Sequence, residues 1–138
     1  MKINEKVVES VSEVMQLIEE GVNPLEYIEG DFDIDLVTKA VAHKENSIDP
    51  YWDDMAEILL KSIVHYLYAK EGETKSLKRC KEILDIVMNS SDRRTEMTSI
   101  LGDNESAKVL YKSIEIAPDN TYNSIFETLS EKLSKIVK

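Results

Sequence analysis

The chain has 138 residues, a formal net charge of −10, 42% hydrophobic and 32% charged residues. That is enough for one domain with a real core, too little for two ordinary ones, and too apolar for wholesale disorder. The acidic balance argues against a stand-alone nucleic-acid binder, which needs clustered Lys and Arg to displace phosphate counterions. Four Gly and three Pro leave little material for hairpins and point to long helices joined by short loops. The single cysteine, Cys80, excludes an intrachain disulfide and fits a reducing compartment. No basic start followed by an apolar run marks a secretory signal. The longest apolar stretch, Ile58 to Tyr68, is interrupted by Lys61, Ser62 and His65 and is too short to span a bilayer. The expectation is a cytoplasmic protein without direct membrane contact.

The spacing of Val7, Val11, Val14 and Ile18 predicts a first helix over roughly Asn4 to Glu20, closed by Gly21. Asn23-Pro24 then breaks the chain, because a residue before proline avoids the helical region. Leu25, Tyr27 and Ile28 form a short apolar anchor. A second helix starts at Gly30, with Asp31 or Asp33, and carries Leu36, Val37, Ala40 and Val41. His43 to Ile48 reads as a polar loop.

Asp49-Pro50 predicts the start of the central helix. The aspartate can accept from free helical N–H groups, and proline at the first position needs no partner. From Trp52 to Leu67 apolar residues occupy most of the circumference, leaving Glu57, Lys61, His65 and Tyr68 as a polar stripe. Such a helix is buried. A fourth helix spans about Thr74 to Met88, with Leu77, Cys80, Leu84 and Val87 on one face. A shorter one runs from Ser90-Ser91-Asp92 to Leu101, and another starts at Asp103. The last follows Ala117-Pro118-Asp119 and buries Tyr122, Ile125 or Phe126, Leu129, Leu133 and Ile136. The predicted fold is all-α: a single compact, irregular bundle of about seven helices around a buried helix at about 50–70, with no convincing strand.

No residue set points to catalysis. His65 lacks a metal-ligating or acid–base partner at helical spacing, and His43 lies in a separate loop. Cys80 reads as a core residue. No Gly-rich phosphate loop is present. Catalytic residues, cofactors and metals are therefore not expected.

Two charge features stand out. Between Glu26 and Glu57 ten acids face two bases, Lys39 and Lys44. Glu29, Asp31, Asp33, Asp35, Asp53 and Asp54 are either a solvated face or a docking surface for a basic protein. Lys75, Lys78, Arg79 and Lys81, with Arg93 and Arg94 beyond, are either a DNA-contacting patch or surface bases balancing Glu82 and Asp85.

Asn23-Pro24-Leu25 with Tyr27-Ile28, and Pro50-Tyr51-Trp52 with Ala56, Leu59 and Leu60, resemble the all-alpha domain of type IV coupling proteins. These are FtsK-like ATPases of conjugative DNA transfer and type IV secretion. The likeness covers Val22 to about Val137, with Tyr122 to Leu133 as the returning helix. It implies a substrate-recognition domain over residues 22–138, with 1–21 as a leader of uncertain relation. It further implies relaxase and relaxosome accessory proteins as partners, the ATPase domain of the full coupling protein beside it, DNA as a weaker partner, and a monomer in isolation. Trp52, Leu59, Leu60 and Ile63 would hold the fold. The Walker segments that flank this domain in the family are absent, so ATP hydrolysis does not carry over. The chain is then either an excised domain or a separate relative. A helical interaction or regulatory module unrelated to conjugation is the other reading.

Overall fold

The computed structural model describes residues 1–43 and 47–137. Among these, seven α-helices form the body: α1 (Val11–Glu19), α2 (Asp31–Ala42), α3 (Pro50–Ala69), α4 (Leu77–Met88), α5 (Arg93–Leu101), α6 (Glu105–Glu115) and α7 (Asp119–Ser134). The all-α bundle expected from the sequence is the observed fold. Lys44 and Glu45, which belong to the loop and charge features above, lie outside the described residues, as does Asn46.

The start of the chain corrects the sequence reading. No helix begins at Asn4; β1 (Lys2–Ile3) and β2 (Lys6–Val7) pair antiparallel, with Ile3 opposite Lys6. Asn4 and Glu5 both have positive φ, at 52° and 70°, as a two-residue hairpin turn requires. Ser10 then caps α1, its Oγ accepting from the Glu13 amide. The valine spacing fitted a helix, but Val7 and Val11 are exposed while Val8, Val14 and Ile18 enter the core. Ile3, Val8, Val14 and Ile18 share one hydrophobic cluster with the residues of α2 to α7, so residues 1–21 pack into the same body.

Helix ends follow local chemistry. Asp49 caps α3 by accepting from the Tyr51 amide, with Pro50 at the first position. α3 stops at Ala69, two residues before the expected Glu71-Gly72. α4 begins at Leu77 because Ser76 accepts from the Arg79 amide, later than the expected Thr74. Asn104, not Asp103, caps α6 by accepting from the Ala107 amide. α7 ends at Ser134, so Ile136 packs on the core from beyond the helix.

α3 sits in the middle, packed against α2, α4, α6 and α7. Leu59, Leu60, Ile63, Val64 and Leu67 are fully buried, whereas Trp52 is only half-buried and lies edge-on to Tyr51. The α3–α6 seam is close: buried Ser62 donates to the Ala107 carbonyl at 2.9 Å, and Asn104 donates to the His65 carbonyl at 3.2 Å. At the other side, the Asp53 carboxylate meets Lys132 Nζ of α7 at 2.8 Å, both side chains buried. Tyr111 and Tyr122 join hydroxyl to hydroxyl at 2.6 Å between α6 and α7, and Tyr122 stacks on Phe126.

The Asn-Pro element is a structural junction. Asn23 caps a 3-10 turn (Pro24–Tyr27), accepting from the Leu25 amide, and donates to the Lys75 carbonyl at 2.8 Å just before α4. The Tyr68 hydroxyl of α3 donates to the Leu25 carbonyl.

Candidate functional site

The acidic stretch divides into acids that hold the fold and acids that face water. Asp33 is buried; it accepts from the Glu29 amide at 2.9 Å and lies 3.4 Å from the Met1 ammonium. Asp53 is buried against Lys132. Neither belongs to a docking face, which corrects two of the six acidic candidates. The physical reason is periodicity: alternate residues on a helix point to opposite sides, so Asp33 turns inward between Asp31 and Asp35. Glu29, Asp31, Asp35 and Asp54 remain exposed. Asp35 meets Lys61 at 3.1 Å and Asp54 lies 3.5 Å from His43. Glu29 and Asp31 have no salt bridge among the described residues. Beside them, Phe32 is 70% exposed in the first turn of α2, a feature that sequence reading passed over because an aromatic in an amphipathic helix looks like core.

The basic stretch is partly paired within the chain. Lys75 donates to the Lys70 and Glu73 carbonyls. Arg79 grips Glu73 through two nitrogens, at 2.9 and 3.2 Å, and reaches Glu82 at 3.5 Å. Lys81 meets Asp85 one turn along α4 at 3.0 Å. Lys78 is exposed and forms no salt bridge among the described residues. Arg93 donates to Asn123, and Arg94 lies over the Tyr122 ring while holding the Glu115 and Ala117 carbonyls and Asp119. These arginines staple α5 to the end of α6, the turn after it and the start of α7. The bases predicted to meet DNA phosphates thus divide into Arg79 and Lys81, paired with carboxylates of the chain, and Lys75 and Lys78, which form no salt bridge among the described residues.

Arg79, and after it the Tyr66 hydroxyl at 2.6 Å, hold the Glu73 carboxyl below its usual range. Burial, and after it Glu73, pushes Tyr66 up to about 12. A carboxyl lowered by folding stabilises the native state above its unfolded value of about 4.3. That contribution disappears as the pH falls through the lower folded value. Glu73→Gln should cost about 1 kcal/mol near neutral pH, where a hydrogen-bonded, partly shielded pair is at the upper end for ion pairs. The difference from the parent should shrink below about pH 4 and vanish in stronger acid. Urea denaturation at a series of pH values measures it; a pH-independent difference would assign the cost to packing.

The remaining titratable groups sort clearly. Cys80 is fully buried and desolvation pushes its thiol up to about 12, so it is a core residue. His65 is half-buried on α3 and joins no cluster of ligating side chains among the described residues. His43 does, although sequence reading left it in a separate loop. It caps the C-terminal end of α2, and its Nε2 lies 2.6 Å from Glu57 Oε1 and 3.5 Å from Asp54 Oδ1. The other Glu57 oxygen receives Lys61 at 2.8 Å, and Lys61 also reaches Asp35. Desolvation lowers the Lys61 pKa, but the bonds to Glu57 and Asp35 outweigh it and the net shift is upward. Asp54 and Glu57 were legible as neighbours on one helix face. The approach of His43 across the α2–α3 connection was not.

The chain is thus an all-α bundle with a charge-patterned exterior. No described helix is long and apolar enough to cross a membrane. The chain matches no family model, no curated protein and no solved structure.

Proposed function

We propose that this chain is a protein-recognition module without catalysis of its own, docking a basic partner on the acidic first turn of α2. The carrying observation is Phe32, 70% exposed and set among the exposed carboxylates of Glu29, Asp31 and Asp35. An aromatic anchor ringed by acids suits a partner surface that offers an apolar pocket with Lys and Arg around it. The pairing of Arg79 and Lys81 with carboxylates leaves Lys75 and Lys78 as a small foothold for phosphates, which favours protein over DNA.

The finer form of this reading rests on the likeness to coupling-protein all-alpha domains. There the module receives relaxase and relaxosome accessory proteins at the cytoplasmic mouth of a hexameric ATPase, whose nucleotide-binding domain lies beside it. The alternative, a helical interaction module unrelated to conjugation, shares the same docking surface with a different basic partner.

The test is binding of the cognate relaxase and accessory protein at low and physiological salt, to the parent and to Asp31→Lys/Phe32→Ala. Saturable, salt-weakened binding that falls at least tenfold in the variant is expected. Absence of binding at low salt removes the conjugative reading. Binding that the variant leaves unchanged removes the α2 surface.

A further inference from the structure

We propose that His43, Asp54 and Glu57 form a binding site for one divalent transition-metal ion of the zinc class. Three ligand atoms of different chemistry converge: an imidazole nitrogen from the end of α2 and two carboxylate oxygens from successive turns of α3, all within 4.8 Å of one another. Zinc bonds to nitrogen and carboxylate oxygen at about 2.0–2.2 Å, so small side-chain adjustments bring the three atoms onto one ion.

Nε2 of His43 is one nitrogen with one proton or one lone pair, yet two carboxylates face it, at 2.6 and 3.5 Å. One N–H serves one of them well. A cation between the three atoms satisfies all of them at once.

The surroundings hold the ligands in position. The Glu57 side chain is 8% exposed, and Lys61 engages its Oε2, leaving Oε1 turned toward His43. Lys61 is in turn held by Asp35, which makes these two positioning residues behind the ligand. Among the described residues, three carboxylates (Asp35, Asp54, Glu57) against one ammonium (Lys61) leave two negative charges beside the imidazole, the complement of a dication. The imidazole favours zinc-like ions over Mg2+ or Ca2+, which take oxygen ligands. Among the described residues access is open: Asp54 is exposed, and His43 borders a surface groove of about 1060 Å³ shared with Ser10, Met15 and Glu19 of the α1 side.

The experiment is calorimetric titration of the metal-free full chain with Zn2+, with Co2+ as an optical probe. It is run on the parent and on His43→Ala, Asp54→Asn and His65→Gln. One Zn2+ per chain is expected, with affinity lowered at least tenfold in His43→Ala and Asp54→Asn and unchanged in His65→Gln. Co2+ should give a ligand-field absorption band that His43→Ala abolishes. Zn2+ should raise the melting temperature of the parent and of His65→Gln but not of Asp54→Asn. Asp54 is exposed, so that variant keeps its fold and remains informative if His43→Ala does not. Absence of saturable one-to-one binding overturns the site. So does affinity that survives in Asp54→Asn, or that depends on His65.

Discussion

Lys132→Met should destabilise the protein by about 3–5 kcal/mol, the range for stripping one partner from a buried ion pair. Lys132 Nζ and the Asp53 carboxylate meet at 2.8 Å, and each side chain is 8% exposed. Methionine keeps most of the lysine stem's volume, so the loss isolates the charge rather than a cavity. The Asp53 carboxylate would remain in a low-dielectric seam between α3 and α7 without its cation. Its place in the first turn of α3, at the positive end of the helix dipole, offsets only about 0.3–1 kcal/mol of that. Adding Asp53→Asn to Lys132→Met should restore more than half of the lost stability, because the stranded charge is then gone. Urea denaturation of the parent, both single variants and the double variant reads the cycle. A loss below about 1 kcal/mol for Lys132→Met would mean that the pair is solvated like a surface bridge.

Leu60→Ala should cost about 3 kcal/mol, within the range for truncating a buried leucine in a core that cannot collapse around the gap. Leu60 is 0% exposed on α3, which has other helices on several sides. Relaxation there would require several of them to move together. Ile86→Ala on α4, 46% exposed, is the internal comparison and should cost no more than about 0.5 kcal/mol. Native stability is on the order of 5–15 kcal/mol, so the first substitution removes a large fraction and the second does not. Equal costs at the two positions would contradict the central placement of α3.

What the sequence made legible was local. Asp49-Pro50 announced α3 because capping is decided by neighbours, and the Asp49 side chain does accept from the Tyr51 amide. The apolar run behind it required burial whatever surrounded it. The pairing of Lys81 with Asp85 was likewise readable, since four residues make one helical turn. The hairpin at Lys2 to Val7 was not, because two-residue strands show no alternation and Val7 continues the spacing of α1. The fates of Asp33 and Asp53 were hidden for a different reason. Each looked like its acidic neighbours, and each meets a cation distant in sequence, the Met1 ammonium or Lys132, that no local spacing reveals. His43 met Asp54 and Glu57 through the angle between two helices, which no spacing along the chain encodes.

The seam joining α3 to α6 and α7 sets an order of events during synthesis. α3 leaves the ribosome before α4 to α7, while Ala107, Tyr111, Phe126, Leu129 and Leu133 are still to be made. Its apolar circumference must wait, partly bare, for the closing helix, and the nascent chain is then most vulnerable to sticking to its neighbours. A chaperone that shelters the α3 segment until Leu133 emerges would act at the one interval when this bundle cannot protect itself.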